Sequence, residues 1–253
     1  MGDLRTAALT AANGDITWFC TPRFDAPSLF GALLDCRRGG RWTIRPDAWA
    51  DPEPGASLAS RQMYLPDTNV LITRFFAETG VVEVTDFMPL GTDGPTLVRA
   101  VSCVRGEVPV STVIDPRPDY GRRPAEITAV EGGAMIAGAD HGSWLLRASV
   151  PMAVAAPGAA GGPDAPTIRW SGTLRVGDSA HFCLETALGP VQPRPYSDVE
   201  YTDAFDATVG YWRRWLAKSR YIGRWREMVH RSALLLKLLT YSPTSRTKSG
   251  RAI

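Results

Sequence analysis

The chain has 253 residues, enough for one large domain or two small ones, with 44% hydrophobic and 21% charged residues. A formal net charge of +2 excludes polyanion binding driven by bulk charge. No apolar run approaches the roughly 20 residues that a spanning helix needs, and Met1-Gly2-Asp3-Leu4-Arg5 has no apolar signal-peptide core. Cys20, Cys36, Cys103 and Cys183 lie far apart without paired metal-ligand spacing. These features predict a cytoplasmic protein whose cysteines are reduced thiols in strands or helices.

In chain order, residues 6–20 read as a hairpin. Asn13-Gly14 is the pair a type I′ turn favours, and Ile16, Trp18 and Cys20 alternate along its second strand. Residues 27–34 read as a short helix, with Asp25 as cap, Pro27 in its first turn and Leu29, Phe30, Leu33 and Leu34 as its apolar face. Short strands are expected at 41–46 and 58–65, around a Pro-rich loop at 46–55. The clearest strand pair is 69–77 and 81–88, rich in Val, Ile, Thr and Phe and joined at Glu78-Thr79-Gly80. Residues 96–105 and 108–114 read as another hairpin around Gly106-Glu107. Further strands fit 126–131, 134–138, 143–150, 167–171 and 180–188, with a loop at 156–166. Turn signals at this regular spacing predict an antiparallel β-sandwich.

The pattern changes near Pro190. Pro190, Pro193 and Pro195 predict a stiff connector. Residues 203–218 then place Phe205, Val209, Trp212 and Leu216 on one helical face. Residues 224–241 repeat the pattern with Trp225, Met228, Val229, Ser232, Leu235, Leu236 and Leu239, and Pro243 ends it. The fold class is therefore mainly β: a sandwich at 1–189, a linker at 190–202, a C-terminal helical pair at 203–244 and an unpatterned basic tail at 245–253.

Arg213, Arg214, Arg224, Arg226 and their neighbours make the helical segment basic, but its Trp residues fall at core spacing. Long Arg stems often cover apolar surface, so a structural helix pair is expected and no nucleic-acid partner. His141, His181 and His230 are scattered and read as structural. There is no nucleophile elbow, phosphate-binding loop or dinucleotide fingerprint, and no cofactor or metal site is expected. Asp25, Glu83, Asp86 and Asp119 stand beside aromatic or Arg neighbours. Paired carboxylates in an aromatic cleft suit glycoside hydrolysis, but ion pairing or capping is the default expectation for these four.

Gly2-Asp3-Leu4-Arg5-Thr6-Ala7-Ala8-Leu9, Asn13-Gly14-Asp15-Ile16-Thr17-Trp18-Phe19-Cys20, Pro22-Arg23-Phe24-Asp25-Ala26-Pro27-Ser28-Leu29-Phe30 and Gly39-Gly40-Arg41-Trp42 stand in order along the first part of the chain. Val84-Thr85-Asp86-Phe87-Met88-Pro89, Pro118-Asp119-Tyr120-Gly121, Tyr211-Trp212-Arg213-Arg214-Trp215 and the run from Met228 to Tyr241 follow, to about residue 244. Together, in this order, these segments resemble bacterial glycoside hydrolase family 15 proteins, the glucoamylase-like and trehalase enzymes.

The resemblance implies an N-terminal β-sandwich, a linker and an (α/α)6 barrel whose first helices are residues 203–244. It implies inverting hydrolysis of α-linked glucose by two barrel Glu residues, one protonating the leaving oxygen and one activating water. No catalytic residue is carried over to this sequence, and the chain reads as a truncated or frameshifted member, inactive alone. Trp18, Arg23, Phe24 and Asp25 are expected near substrate, with bracing of a turn as the rival role for Arg23 and Asp25. The expected partners are an α-glucoside or α-glucan and the barrel domain. The alternatives are a stand-alone module holding α-glucan on Trp18, Trp42 or Trp49, or a fragment that self-associates through exposed helices.

Overall fold

The computed structural model describes residues 1–49, 59–122, 124–138, 142–158, 164–190 and 192–241. One strand organises them. β8 (Thr96–Asp115) is 20 residues long and belongs to both layers of a sandwich. Its first half pairs antiparallel with β7 (Gly80–Phe87) and β14 (Ser179–Thr186). Its second half pairs antiparallel with β4 (Arg41–Pro46) and β13 (Thr167–Arg175). The hairpin expected around Gly106-Glu107 is thus replaced by a single kinked strand. Gly106 has φ +77, stands opposite Gly80, and an added Cβ would strike the Thr79 backbone. Two glycines let the strands approach closely, and the register shifts beside them, between Val81 and Val82.

The first layer runs outward from β7 through β6 (Leu71–Ala77) to β5 (Ala59–Tyr64). On the other side it runs from β14 through β11 (Ser143–Ala148) and β10 (Gly133–Ala137) to β9 (Glu126–Val130). The second layer holds β1 (Ala8–Thr10), β2 (Ile16–Cys20), β3 (Ser28–Phe30), β4, β13 and β12 (Ala153–Ala155). Phe75, Val84 and Phe182 of the first layer meet Phe19, Trp42 and Ile168 of the second in one core. Trp42 meets Phe182 edge-on with ring centres 6.4 Å apart. The antiparallel sandwich predicted from strand spacing is the observed fold.

An ion pair crosses that core. Arg99 on β8 and Asp86 on β7 both have fully buried side chains. Arg99 Nε and Nη2 donate to the two Asp86 oxygens at 2.8 and 3.2 Å. Its Nη1 and Nη2 also donate to the carbonyls of Trp42 (2.7 Å) and Gly14 (2.5 Å). A guanidinium rooted in one layer therefore holds backbone of the other, and every charge in the pair has a hydrogen-bonded partner.

Three local expectations are corrected. The residue 6–20 hairpin forms, but only Gly14 of the Asn13-Gly14 pair has positive φ, so the turn is not type I′. Gly14 N–H donates to Ala11 O and Ala11 N–H to Asp15 O, closing a three-residue loop. Residues 27–34 are not a helix: β3 pairs Phe30 with Phe19 and Ser28 with Cys20, burying Leu29 and Phe30 and leaving Leu33 and Leu34 exposed. Tertiary pairing overrides the helical spacing there. The four cysteines are free, but Cys36 lies in an exposed turn rather than in a strand or helix. Of the expected 46–55 and 156–166 loops, residues 50–55 and 159–163 lie outside the described residues, as does the tail at 245–253.

Two helices follow the last strand. α2 (Asp198–Leu216) starts five residues before the expected 203, because Ser197 and Glu200 form a capping box. It lies on the outer face of the first layer, where Val209 and Phe205 meet Val70, Phe87 and Val98. α3 (Arg226–Leu239) packs Leu234 and Leu238 against Trp212, Leu216 and the N-terminal Leu4. The stripe read from the spacing, Trp225, Met228, Val229, Leu235, Leu236 and Leu239, is exposed. α3 carries two apolar stripes, and the sandwich takes the narrower one. No helix among the described residues is long and apolar enough to cross a membrane.

Candidate functional site

The loop between β2 and β3 carries three of the four residues nominated from sequence. Arg23 and Asp25 are exposed and bind each other through Nε–Oδ1 and Nη2–Oδ2 contacts of 2.9 and 2.7 Å. Hydrogen bonding to Arg23 holds the Asp25 carboxyl below the usual carboxylate range, and Asp25 raises Arg23 in turn. Phe24, half-buried, donates its N–H to Arg5 O at 3.0 Å.

Trp18, the fourth nominee, is half-buried on β2. Its ring lies 6.1 Å from that of Tyr120, which is exposed. Tyr120 belongs to a single turn, α1 (Pro118–Gly121), in which Asp119 and Tyr120 have left-handed angles. Arg122 lies over the Tyr120 ring at 5.6 Å and its Nη1 donates to Asp119 Oδ1 at 3.1 Å. Sequence reading quoted Asp119-Tyr120 for its motif but not for this meeting with Trp18. Of the other tryptophans proposed to hold sugar, Trp42 is fully buried and Trp49 packs edge-on against Phe75 at 5.0 Å, so both serve the core.

A cleft of about 1090 Å³ lies between the first layer, the connector and α2. The β2–β3 loop reaches its wall where the Thr21 and Thr186 hydroxyls are 2.6 Å apart, and the N-terminal segment does so where Arg5 Nη1 donates to Asp93 O at 2.8 Å. Its charged floor is paired internally. Arg147 Nη2 donates to both Glu200 oxygens at 2.8 and 2.9 Å, and Nη1 to Glu185 at 2.9 Å. Arg147 Nε and Nη2 also hold the carbonyls of Arg194 and Pro195 at 3.1 and 3.2 Å. Arg194 grips Glu200 from the other side with two 2.7 Å bonds. Burial works to raise the Glu200 carboxyl, but hydrogen bonds from Arg194 and Arg147 bring it down to about 2.

Each carboxylate considered for catalysis is held by an arginine: Asp25 by Arg23, Glu83 by Arg74, Asp86 by Arg99 and Asp119 by Arg122. The two described histidines each face an aspartate. His181 stacks on Tyr201 at 4.0 Å with Nδ1 3.0 Å from Asp198, and burial pushes its pKa down. His230 Nδ1 is 3.2 Å from Asp67, while His141 lies outside the described residues. Among the described residues no group of three or more His, Cys, Asp and Glu is placed to hold a metal ion.

The fold is a two-layer sandwich whose connector is pinned beside a docked helical pair. A bacterial glucoamylase solved with acarbose shares it, with a TM-score of 0.57 at 12% identity over 94% of this chain and 42% of that one. The model of the family described as "Trehalase-like, N-terminal" matches residues 1–166, and the chain belongs to that family. The trehalase of Mycolicibacterium smegmatis is 30% identical, over 96% of this chain and 38% of its own length. The trehalase of Thermoplasma volcanium is 29% identical, over 96% of this chain and 37% of its own. The chain thus spans less than two-fifths of the length of these relatives.

Proposed function

We propose that the chain is the non-catalytic N-terminal part of an inverting glycoside hydrolase that acts in the cytoplasm on α-linked glucosides, either trehalose or the ends of an α-glucan. One observation carries the reading: similarity to a trehalase runs through 96% of this chain, strands and helices alike, while covering 38% of the relative. The division we favour is a sandwich at 1–189, a connector, and helices to 244 that begin an (α/α)6 barrel.

The arginine partners of Asp25, Glu83, Asp86 and Asp119 favour placing the acid and base outside the sandwich. In this reading the sandwich docks and orients the barrel, the bare stripe of α3 seats further barrel helices, and the Arg23-Phe24-Asp25 loop approaches the active-site mouth.

The test is a chimera in which residues 1–241 replace the matching front part of the M. smegmatis trehalase. A folded chimera that hydrolyses trehalose supports the reading. A folded chimera that binds no substrate and releases no glucose, beside an active parent, contradicts it.

A further inference from the structure

We infer that Trp18, Tyr120 and Arg122 form a platform on the sandwich surface that binds one glucosyl ring of an α-glucoside. The choice of sugar rests on the function proposed above; the place rests on geometry.

The turn that presents Tyr120 is built against backbone preference. Asp119 (φ 53), Tyr120 (φ 59) and Gly121 (φ 74) are three successive residues in the left-handed region. Glycine adopts it freely and aspartate tolerates it, but for Tyr120 it carries a strain cost. Surrounding bonds enforce the turn: Gly121 N–H donates to Arg117 O at 3.2 Å, Arg122 N–H to Asp119 O at 3.1 Å, and Arg117 N–H to Leu29 O at 2.8 Å. The result is an aromatic ring 40% exposed and 6.1 Å from Trp18, tilted 43° to it. Packing does not account for this expense of strain. Neither ring belongs to the core cluster, although Trp49 and Trp170, also partly exposed, pack against it.

The chemistry suits a neutral polyhydroxylated ring. The C–H face of a hexose is apolar and lies against aromatic faces, while its hydroxyls project at the edge. Arg122, 70% exposed, lies over the Tyr120 ring and offers N–H donors at that edge. Its guanidinium is held by Asp119 at 3.1 Å, which fixes where those donors point. The anchor Leu29 lies in β3, the strand fed by the Arg23-Phe24-Asp25 loop, so platform and loop share one support.

The experiment is to titrate the 253-residue chain with maltoheptaose and with trehalose, reading tryptophan fluorescence and calorimetric heat. Trp18→Ala and Tyr120→Gly remove one ring each, and glycine also relieves the strained angle, so Tyr120→Gly is expected to fold at least as well. Saturable binding that weakens about tenfold or more in both variants, with Tyr120→Phe within about twofold of the parent, supports the platform. No saturable binding by the folded parent, or equal binding by folded Tyr120→Gly, overturns it, and the ring pair is then a contact surface for protein. Either failure leaves the hydrolase reading to the chimera's turnover.

Discussion

Arg147 on β11 and Glu200 in the first turn of α2 share two hydrogen bonds of 2.8 and 2.9 Å. The same guanidinium holds two connector carbonyls, and Tyr196 N–H donates to Ala148 O at 3.0 Å beside it. The prolines stiffen the connector, but Arg147 fixes its direction. Chain geometry between sandwich and helices is therefore set by one strand residue.

Arg147→Met should release the connector. Removing one partner of a largely buried ion pair costs about 3 kcal/mol. Hydrogen exchange of residues 192–202 is expected to rise sharply while the β8 amides stay protected. Arg147→Lys should fall between, because an ammonium lacks the planar fork. Unchanged exchange at Tyr196 in Arg147→Met would refute the clamp.

Acid should loosen the same lock in a defined window. The Glu200 carboxyl sits at about 2 in the folded chain against 4.5 when unperturbed. Its folded pKa is depressed, so its contribution is fully present above about 4.5 and is lost as pH falls towards about 2. Glu200→Gln should weaken α2 docking at neutral pH and flatten this part of the acid titration. Urea melts between pH 5 and about 2 read the difference.

The two faces of α3 should respond oppositely to truncation. Leu238 is 4% exposed and Leu236 is 68% exposed. Leu238→Ala is expected to cost about 2–4 kcal/mol and Leu236→Ala less than about 0.5 kcal/mol in denaturant melts. Equal costs would show that the exposed stripe is covered in the isolated chain, as by a second copy.

Arg99→Met should be the most damaging single change in the core. It strands the Asp86 carboxylate and two carbonyls, at about 3–5 kcal/mol. Asp86→Leu added to it should restore part of the loss, with the freed carbonyls of Trp42 and Gly14 accounting for the remainder. A double variant no more stable than Arg99→Met alone would contradict this.

Much of the sandwich is legible from residue alternation, since strands at 41–46, 71–77 and 80–87 are set by local pattern. The errors have nonlocal causes. Gly106-Glu107 reads locally as a hairpin, but pairing with Gly80 keeps β8 continuous. Residues 27–34 have helical spacing, but Phe19 claims Phe30 in a ladder. The start of α2 was legible, because Ser197 and Glu200 carry the capping-box spacing, and it was missed in favour of the Phe205 stripe. The Arg23–Asp25 loop can be picked out by motif. Asp119-Tyr120 can be too, but not its meeting with Trp18, which depends on backbone angles that no residue pattern reports.

The central claim is that the sandwich and its helical pair serve a hydrolase without performing the hydrolysis. Glucose release from trehalose and maltooligosaccharides by the purified, folded 253-residue chain tests it most directly. The account predicts no release above the buffer rate. Sustained release that follows the folded protein through purification would contradict it and place an acid and a base within these residues.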